Sequence, residues 1–452
     1  MSWSRWHRRV VLALGITWAL DGLEASLVSN LGPMLQDSRT LGLTATQVGL
    51  ASTVYLVGQV IGALVFGHLT DRAGRKRLFF VTLGLYLVAT ALSGFAPSFA
   101  VFLVFRFFAG AGIGGEYSAI NSAIDELIPA SLRGRVNLGI NGSYWVGVVL
   151  GALLTVLLFT ESRIPVEIGW RVAFVLGAVL GLAILFVRRT IPESPRWLLM
   201  HGREAEAGAV VSRIEEAVYG SRERVPEVAH ERTALPASVS LRELLPLLIG
   251  KYRRRAILGV ALMVAQTFFY NAIFFSYGLI LERFHSVPPE KVGLYVIPFA
   301  VGNFVGPLIL GASFDRIGRR TMIPVTYAAS GLSLLLTGLL FVTGSLNAVT
   351  QTLAWCVAFF FASSAASSAY LTVSELFPVH VRGVSIAIFY AGATLVGAAA
   401  PSLFGRIVQN GRPVELFAGY AFAAALMLGA AAVARKLGVA SEGKSLEELA
   451  ID

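Results

Sequence analysis

The chain has 452 residues, 56% of them hydrophobic and only 14% charged, with a formal net charge of +10. A soluble globular domain carries roughly 25% charged residues, so an ordinary water-soluble fold is excluded. The basic excess sits in short loops between long apolar runs, which argues against a nucleic-acid partner. The lone cysteine, Cys356, rules out an intramolecular disulfide.

Apolar runs of about 20 residues can each cross a hydrocarbon core of roughly 30 Å. In chain order they predict helices near 10–32, 47–68, 78–96, 99–127, 137–160 and 170–188, then 256–281, 292–313, 321–343, 349–374, 384–408 and 414–436. The expected fold is an all-α membrane protein with twelve transmembrane helices in two six-helix bundles. It divides into 1–188, a linker 189–253, 254–436 and a tail 437–452. The linker carries Glu204, Glu206, Glu215 and Glu216 among small apolar residues and reads as short amphipathic helices on the membrane surface. Arg5, Arg8 and Arg9 precede the first run as in a signal peptide. However, that run holds Asp21 and Glu24 and has no clear small-x-small cleavage site, so it reads as an uncleaved helix. Most of the 37 Lys and Arg residues fall at the N-terminus, in the tail and in the loops after even-numbered helices. By the positive-inside rule the termini and linker are cytoplasmic, in the plasma membrane of the cell.

The two halves repeat one unit. Gly67-His-Leu-Thr-Asp71-Arg72-Ala-Gly74-Arg75-Lys76-Arg77 returns as Gly311-Ala-Ser-Phe-Asp315-Arg316-Ile-Gly318-Arg319-Arg320, and Glu126-Leu-Ile-Pro129-Ala-Ser-Leu-Arg133-Gly134 returns as Glu375-Leu-Phe-Pro378-Val-His-Val-Arg382-Gly383. Parallel repeats of this kind build many secondary transporters. Each first block holds an acid, a turn glycine and a basic pair at one spacing. The arginines can pair with Asp71 or Asp315 and with Glu126 or Glu375, which suits a gate better than scattered surface charge.

With Arg106-x-x-x-Gly110-x-Gly112-x-Gly114-x-Glu116 in the fourth helix, these motifs resemble those of the major facilitator superfamily. Pro192-Glu193-Ser-Pro195-Arg196-Trp197-Leu-Leu199 and Gly443-Lys-Ser-Leu-Glu-Glu-Leu449 resemble the sugar-porter branch. The resemblance implies alternating access, with an inner gate of Asp71, Arg72, Arg75, Arg77, Glu126, Arg133, Glu193, Arg196, Asp315, Arg316, Arg319, Arg320, Glu375 and Arg382.

Of the charges within membrane helices, Asp21, Glu24 and Arg106 bear on coupling. Asp21 and Glu24 are three apart on the first helix and share a face. At 1.5 Å per residue, Glu24 is about 22 Å in from Arg9, and Arg106 is about 10 Å in from the outer end of its helix. The two therefore reach similar depth. A charge there costs at least ~2.5 kcal/mol and calls for a partner or a wet cavity. A Glu24–Arg106 pair is the economical arrangement, with Asp21 as the second acid; a purely static pair is the alternative. By resemblance, the proton-coupling acid of sugar porters falls on Glu24 and their fourth-helix arginine on Arg106, while Asp21-Gly-x-Glu24 resembles the Asp-Gly-x-Asp of aromatic-acid/proton symporters. A buried acid that loads a proton from outside would release Arg106 and let the bundles rock.

The resemblance places the substrate pocket at Asn141, Gln266, Asn271, Asn303 and Tyr370. Amide side chains both donate and accept, which suits hydroxyls; in membranes such amides also serve as bonds between helices. The hexose carriers' Gln-Gln and Gly-Pro-x-x-Trp motifs are absent, which argues against a hexose. Phe268, Phe269, Phe274 and Phe275 point to a more apolar pocket. Phosphate loops, nucleophile elbows and metal-ligand spacings are absent, so the reading is a transporter rather than an enzyme, with no cofactor and a proton gradient as its energy source. The expected cargo is a small polar metabolite, a sugar or polyol or a hydroxylated or aromatic organic acid, moved inward with protons by a monomer. An exporter, a uniporter and a transporter-like sensor are the alternatives; the missing Gly-Pro-x-x-Gly-Gly in the fifth helix weighs against an exporter.

Overall fold

Inside a bilayer there is no water to bind a stray backbone amide, so a crossing segment must satisfy its own hydrogen bonds. The computed structural model describes residues 3–128, 133–161, 164–188, 192–220, 246–377 and 379–438, and the segments it places in the apolar runs are helical. They are α1 (Arg5–Leu35), α2 (Ala45–Ala73), α3 (Arg75–Ser93), α4 (Phe99–Leu127), α5 (Arg133–Val156), α6 (Val166–Gly181, continued by Ala183–Arg188), α7 (Arg253–Phe274, continued by Tyr277–His285), α8 (Val292–Arg316), α9 (Arg319–Val342), α10 (Ala348–Leu376), α11 (Val379–Gly397, continued by Ala399–Asn410) and α12 (Pro413–Leu437). Each is long and apolar enough to cross a membrane.

Several helices outrun the apolar windows because their starts are set by polar caps. Thr44 accepts from the Gln47 amide at 3.2 Å while Gln47 Oε1 accepts from the Thr44 amide at 2.8 Å, so α2 begins at Ala45 rather than near 47. Gly74 at φ 87° and Gly318 at φ 99° turn the chain in the two copies of the repeated loop, a conformation that penalises any Cβ.

The helix pairing repeats as the sequence repeats. α1 packs on α5, α2 on α4 and α3 on α6; α7 packs on α11, α8 on α10 and α9 on α12. The two bundles meet through α1 with α7, α2 with α11 and α5 with α8. Linker helices occupy Pro195–Met200 and Glu204–Tyr219; Ile214 of the second, with Val210 and Val218, packs against Val10, Leu14, Phe79 and Leu127 of the first bundle.

Three helices expected to be continuous are interrupted: α6 at Leu182, and α7 and α11, whose breaks face the other bundle. In α11, Pro401 has no amide hydrogen to give to the carbonyl four residues earlier, and the helix interrupts at Ala398. In α7 the break falls at Phe275–Ser276, where the Ser276 hydroxyl donates to the Ala272 carbonyl at 2.5 Å. Both breaks turn a carbonyl towards the other bundle. Ser29 of α1 donates to the Phe274 carbonyl at 2.5 Å, and Thr53 of α2 donates to the Ala398 carbonyl at 2.6 Å. Nearer the rim, Thr46 donates to Gln409 at 2.5 Å. These contacts hold the bundles together on the side away from the termini. In the loop between α1 and α2, Arg39 donates to both oxygens of Asp37, at 3.1 and 2.8 Å, and holds its carboxyl at about 2, well below the usual range.

Candidate functional site

The ion pair is formed by three helices of the first bundle. Arg106 of α4 donates through Nη2 to Glu24 Oε1 of α1 at 2.7 Å; each residue is 1% exposed. Thr90 and Ser93, three apart on one face of α3, complete it. Thr90 donates to the same Glu24 oxygen at 2.9 Å, and Ser93 Oγ accepts from Arg106 Nε at 3.3 Å. The guanidinium also lies among three rings, with its Cζ 5.1 Å from the Phe174 centroid, 5.7 Å from Tyr55 and 5.9 Å from Phe102. Electron-rich ring faces replace part of the hydration a buried cation has lost. Glu24 Oε2 has no hydrogen-bond partner among the described residues. Asp21 is equally buried, and both acids interact electrostatically with Tyr144 and Tyr55, which line a cavity.

That cavity, about 240 Å³, lies between the bundles, with walls from α1, α2, α5, α7 and α11. Its polar lining consists of Gln59, Asn141, Gln266, Asn271, Thr267 and Thr394, and its aromatic lining of Trp18, Tyr55, Tyr144, Trp145, Tyr270, Phe274, Phe275 and Tyr390. Among the described residues, no Asp, Glu, Lys or Arg lines it. Two buried polar atoms in its wall, Tyr55 Oη and Asn271 Nδ2, have no hydrogen-bond partner among the described residues. A buried donor left unmade costs ~1–3 kcal/mol, so a small side-chain shift that brought either atom to the cavity would be repaid by a ligand or water.

Of the residues singled out from sequence, the structure brings Asn141, Gln266 and Asn271 to one cavity. Asn303 is placed differently. Its Oδ1 accepts from the Tyr270 hydroxyl at 2.9 Å and its Nδ2 donates to the Phe299 carbonyl at 3.0 Å, so it steadies a wall residue from behind. Tyr370 falls in α10, but its side chain lies outside the described residues. The phenylalanines divide: Phe274 and Phe275 line the cavity, while Phe268 packs on Phe422 and Phe269 on Phe359. Tyr55, Gln59, Tyr144, Trp145, Tyr270 and Tyr390 were not reached from sequence. Their signal, tyrosines and tryptophans within otherwise aliphatic spans, does not distinguish a cavity wall from a lipid face.

For the gate, the side chains of Asp71, Arg75, Glu126, Arg133, Arg196, Asp315, Glu375 and Arg382 lie outside the described residues. Arg72, Arg77, Arg316 and Arg320 are exposed and Arg319 is partly exposed. Glu193 accepts from the Lys76 amide at 3.1 Å, placing a carboxylate at the N-terminus of α3, where the helix dipole favours it.

A family model for sugar and other transporters matches residues 24–452. The chain belongs to that family of membrane transporters, an integral multi-pass protein of the major facilitator fold. It is 26% identical over 450 residues to the niacin transporter NiaP of Acinetobacter baylyi, covering 99% of this chain and 97% of that one. It is also 26% identical over 395 residues to the major myo-inositol transporter IolT of Bacillus subtilis, covering 84% and 81%. Among solved structures, the partially occluded inward-open xylose transporter XylE from E. coli superposes with a TM-score of 0.76 at 18% identity, covering 98% of this chain and all of that one.

Proposed function

We propose that the protein is a proton-coupled symporter that brings a small ring-bearing or hydroxylated metabolite into the cell, with both termini in the cytoplasm. The observation that carries this reading is the buried Glu24–Arg106 pair lying directly behind a cavity wall, with Tyr55 between them. A carboxylate held by one arginine and one threonine can give up the arginine when it takes a proton, and the freed guanidinium then keeps Thr90, Ser93 and ring faces but no counter-charge in the pair. The change is local, and it lies beside the surface along which α1 and α2 meet the second bundle.

The lining supports the cargo. Amides and threonine hydroxyls meet hydroxyls, ring nitrogens or amides, and the ring-rich walls favour a flat molecule. A carboxylate substrate would find no cation among the described residues of the wall, because Arg106 sits behind Tyr55 and is engaged by Glu24. This favours polyols and neutral ring compounds over acids bound as anions. Of the compounds that name the relatives, myo-inositol is such a polyol, whereas niacin is a pyridine carboxylic acid, an anion at neutral pH, and tests this preference directly.

The test uses full-length protein in liposomes with a trapped pH dye, and niacin, nicotinamide, myo-inositol and xylose added outside. One unit of inward proton gradient is worth ~1.4 kcal/mol per proton, enough for about tenfold accumulation. At least one compound should acidify the lumen and accumulate, and Glu24→Gln should equilibrate the same compound without accumulation. Accumulation that survives Glu24→Gln, or the lack of proton movement with any compound, would sink the proposal.

A further inference from the structure

Tyr55 is a residue that no sequence motif singled out, and it touches three things at once. It lines the cavity; its ring lies 5.7 Å from the Arg106 guanidinium; and across the bundle interface it meets Phe275, at 6.4 Å, at the break in α7. Of the described side chains that bond to the Arg106 guanidinium or present a ring to it, Tyr55 is the one that lines the cavity. From Phe275 the contacts continue through Phe274 at 5.1 Å to Trp145 of α5 at 5.9 Å, on the cavity wall. One run of rings thus joins the ion pair to the wall and to the second bundle.

Its register is set by close packing. Gly110 of α4 faces the Tyr55 carbonyl, where an added methyl would overlap it, and Gly114 faces the Gln59 carbonyl one turn on in the same way. Small residues at this four-residue spacing let two membrane helices approach closely. The glycines that follow Arg106 in α4 therefore press α2 against it and hold the Tyr55 ring near the guanidinium four residues back. The hydroxyl is buried and has no partner among the described residues. A tyrosine placed only to fill space would have been served by phenylalanine.

We propose that Tyr55 is the positioning residue that couples the Glu24–Arg106 pair to the cavity: its ring follows the guanidinium and forms part of the wall that the substrate meets. The proposal rests on the proton-coupled reading. When Glu24 takes a proton, Arg106 relaxes, the ring beside it resettles, and Phe275 and the α7 break receive the displacement. In reverse, a ligand packed against the wall biases the ring and so the ion pair. The charged and titratable neighbours of Glu24 are Arg106 from α4, Tyr55 from α2, Asp21 one turn back on α1 and Tyr144 from α5; from α3 it meets Thr90, and α6 contributes Phe174 beside the guanidinium.

A test that needs no known substrate uses Trp145 as the reporter. Intrinsic fluorescence of the purified full-length protein is titrated with pH, and the part lost in Trp145→Phe is assigned to the cavity. Melting temperature is titrated in parallel as a separate report on the ion pair. The wild type should give a fluorescence transition that Glu24→Gln abolishes. Tyr55→Phe, which keeps the ring, should retain it. Tyr55→Leu should lose most of its amplitude while its melting temperature still varies with pH as in the wild type. A Tyr55→Leu protein with the full transition, or a Tyr55→Phe protein without one, overturns the proposal. A wild type with no Glu24-dependent transition overturns the proton-coupled reading itself, and this proposal with it.

Discussion

Replacing Glu24 with Gln leaves a guanidinium that is 1% exposed without its counter-charge. Removing one partner of a buried ion pair costs ~3–5 kcal/mol, chiefly through the orphaned charge. The amide oxygen of Gln can still accept from Arg106 and Thr90, and three rings surround the guanidinium, so the low end, about 3 kcal/mol, is expected. Arg106→Gln is not the mirror image. The carboxyl it strands can bind a proton and become neutral, with Thr90 still donating, so its cost is that of a lost hydrogen bond and some desolvation, ~1–3 kcal/mol. The double variant carries neither charge and should be more stable than Glu24→Gln alone by about 2 kcal/mol or more. Melting of the three variants and the wild type in detergent, followed by tryptophan fluorescence, closes the cycle. Additive losses, with the double variant the weakest of the four, would refute the reasoning, because they would mean that the two charges do not stabilise each other.

Asn271→Ala removes an amide from the cavity lining, so it should raise the KM for the transported compound up to about tenfold, a hydrogen bond being worth ~0.5–1.5 kcal/mol. Asn303→Ala breaks bonds to Tyr270 and Phe299 and should lower the melting temperature more and raise KM less, as measured by uptake and melting on the same preparations. Gly110→Ala forces α2 from α4 at the Tyr55 carbonyl and should destabilise the protein by ~1–3 kcal/mol. Gly84→Ala, where a methyl meets nothing within 4 Å, should be neutral or stabilising in the same melting assay. Arg39 depresses the Asp37 carboxyl to about 2, so the stability that pair contributes is complete above the ordinary carboxylate value and is lost only as pH falls through about 2. Asp37→Asn should therefore leave the pH profile of uptake unchanged between pH 5 and 8, and a shifted profile would place Asp37 in the transport cycle.

Much of this protein was legible in one dimension because a bilayer leaves the backbone few options. Runs of apolar residues must be helices, their number follows from their length, and repeated polar blocks mark a duplicated unit. The partnership of Glu24 and Arg106 was also legible, since two charges at similar depth in a medium that resists charge have few other ways to be satisfied. Other features depended on packing. Gln266 and Asn303 look alike in sequence as amides in apolar helices, yet one lines the cavity and the other braces Tyr270, a difference set by the rotation of each helix within its bundle. Tyr55 carries no sequence signal of its own, because its role comes from the glycines of a helix fifty residues away. The break in α7 was hidden for the same reason: no proline announces it, and the Phe274 carbonyl it turns outward is satisfied by Ser29 of the opposite bundle. Hydropathy and periodicity are properties of one helix at a time. Which faces meet, and therefore which polar atoms are left for a ligand, is decided only when twelve helices share one volume.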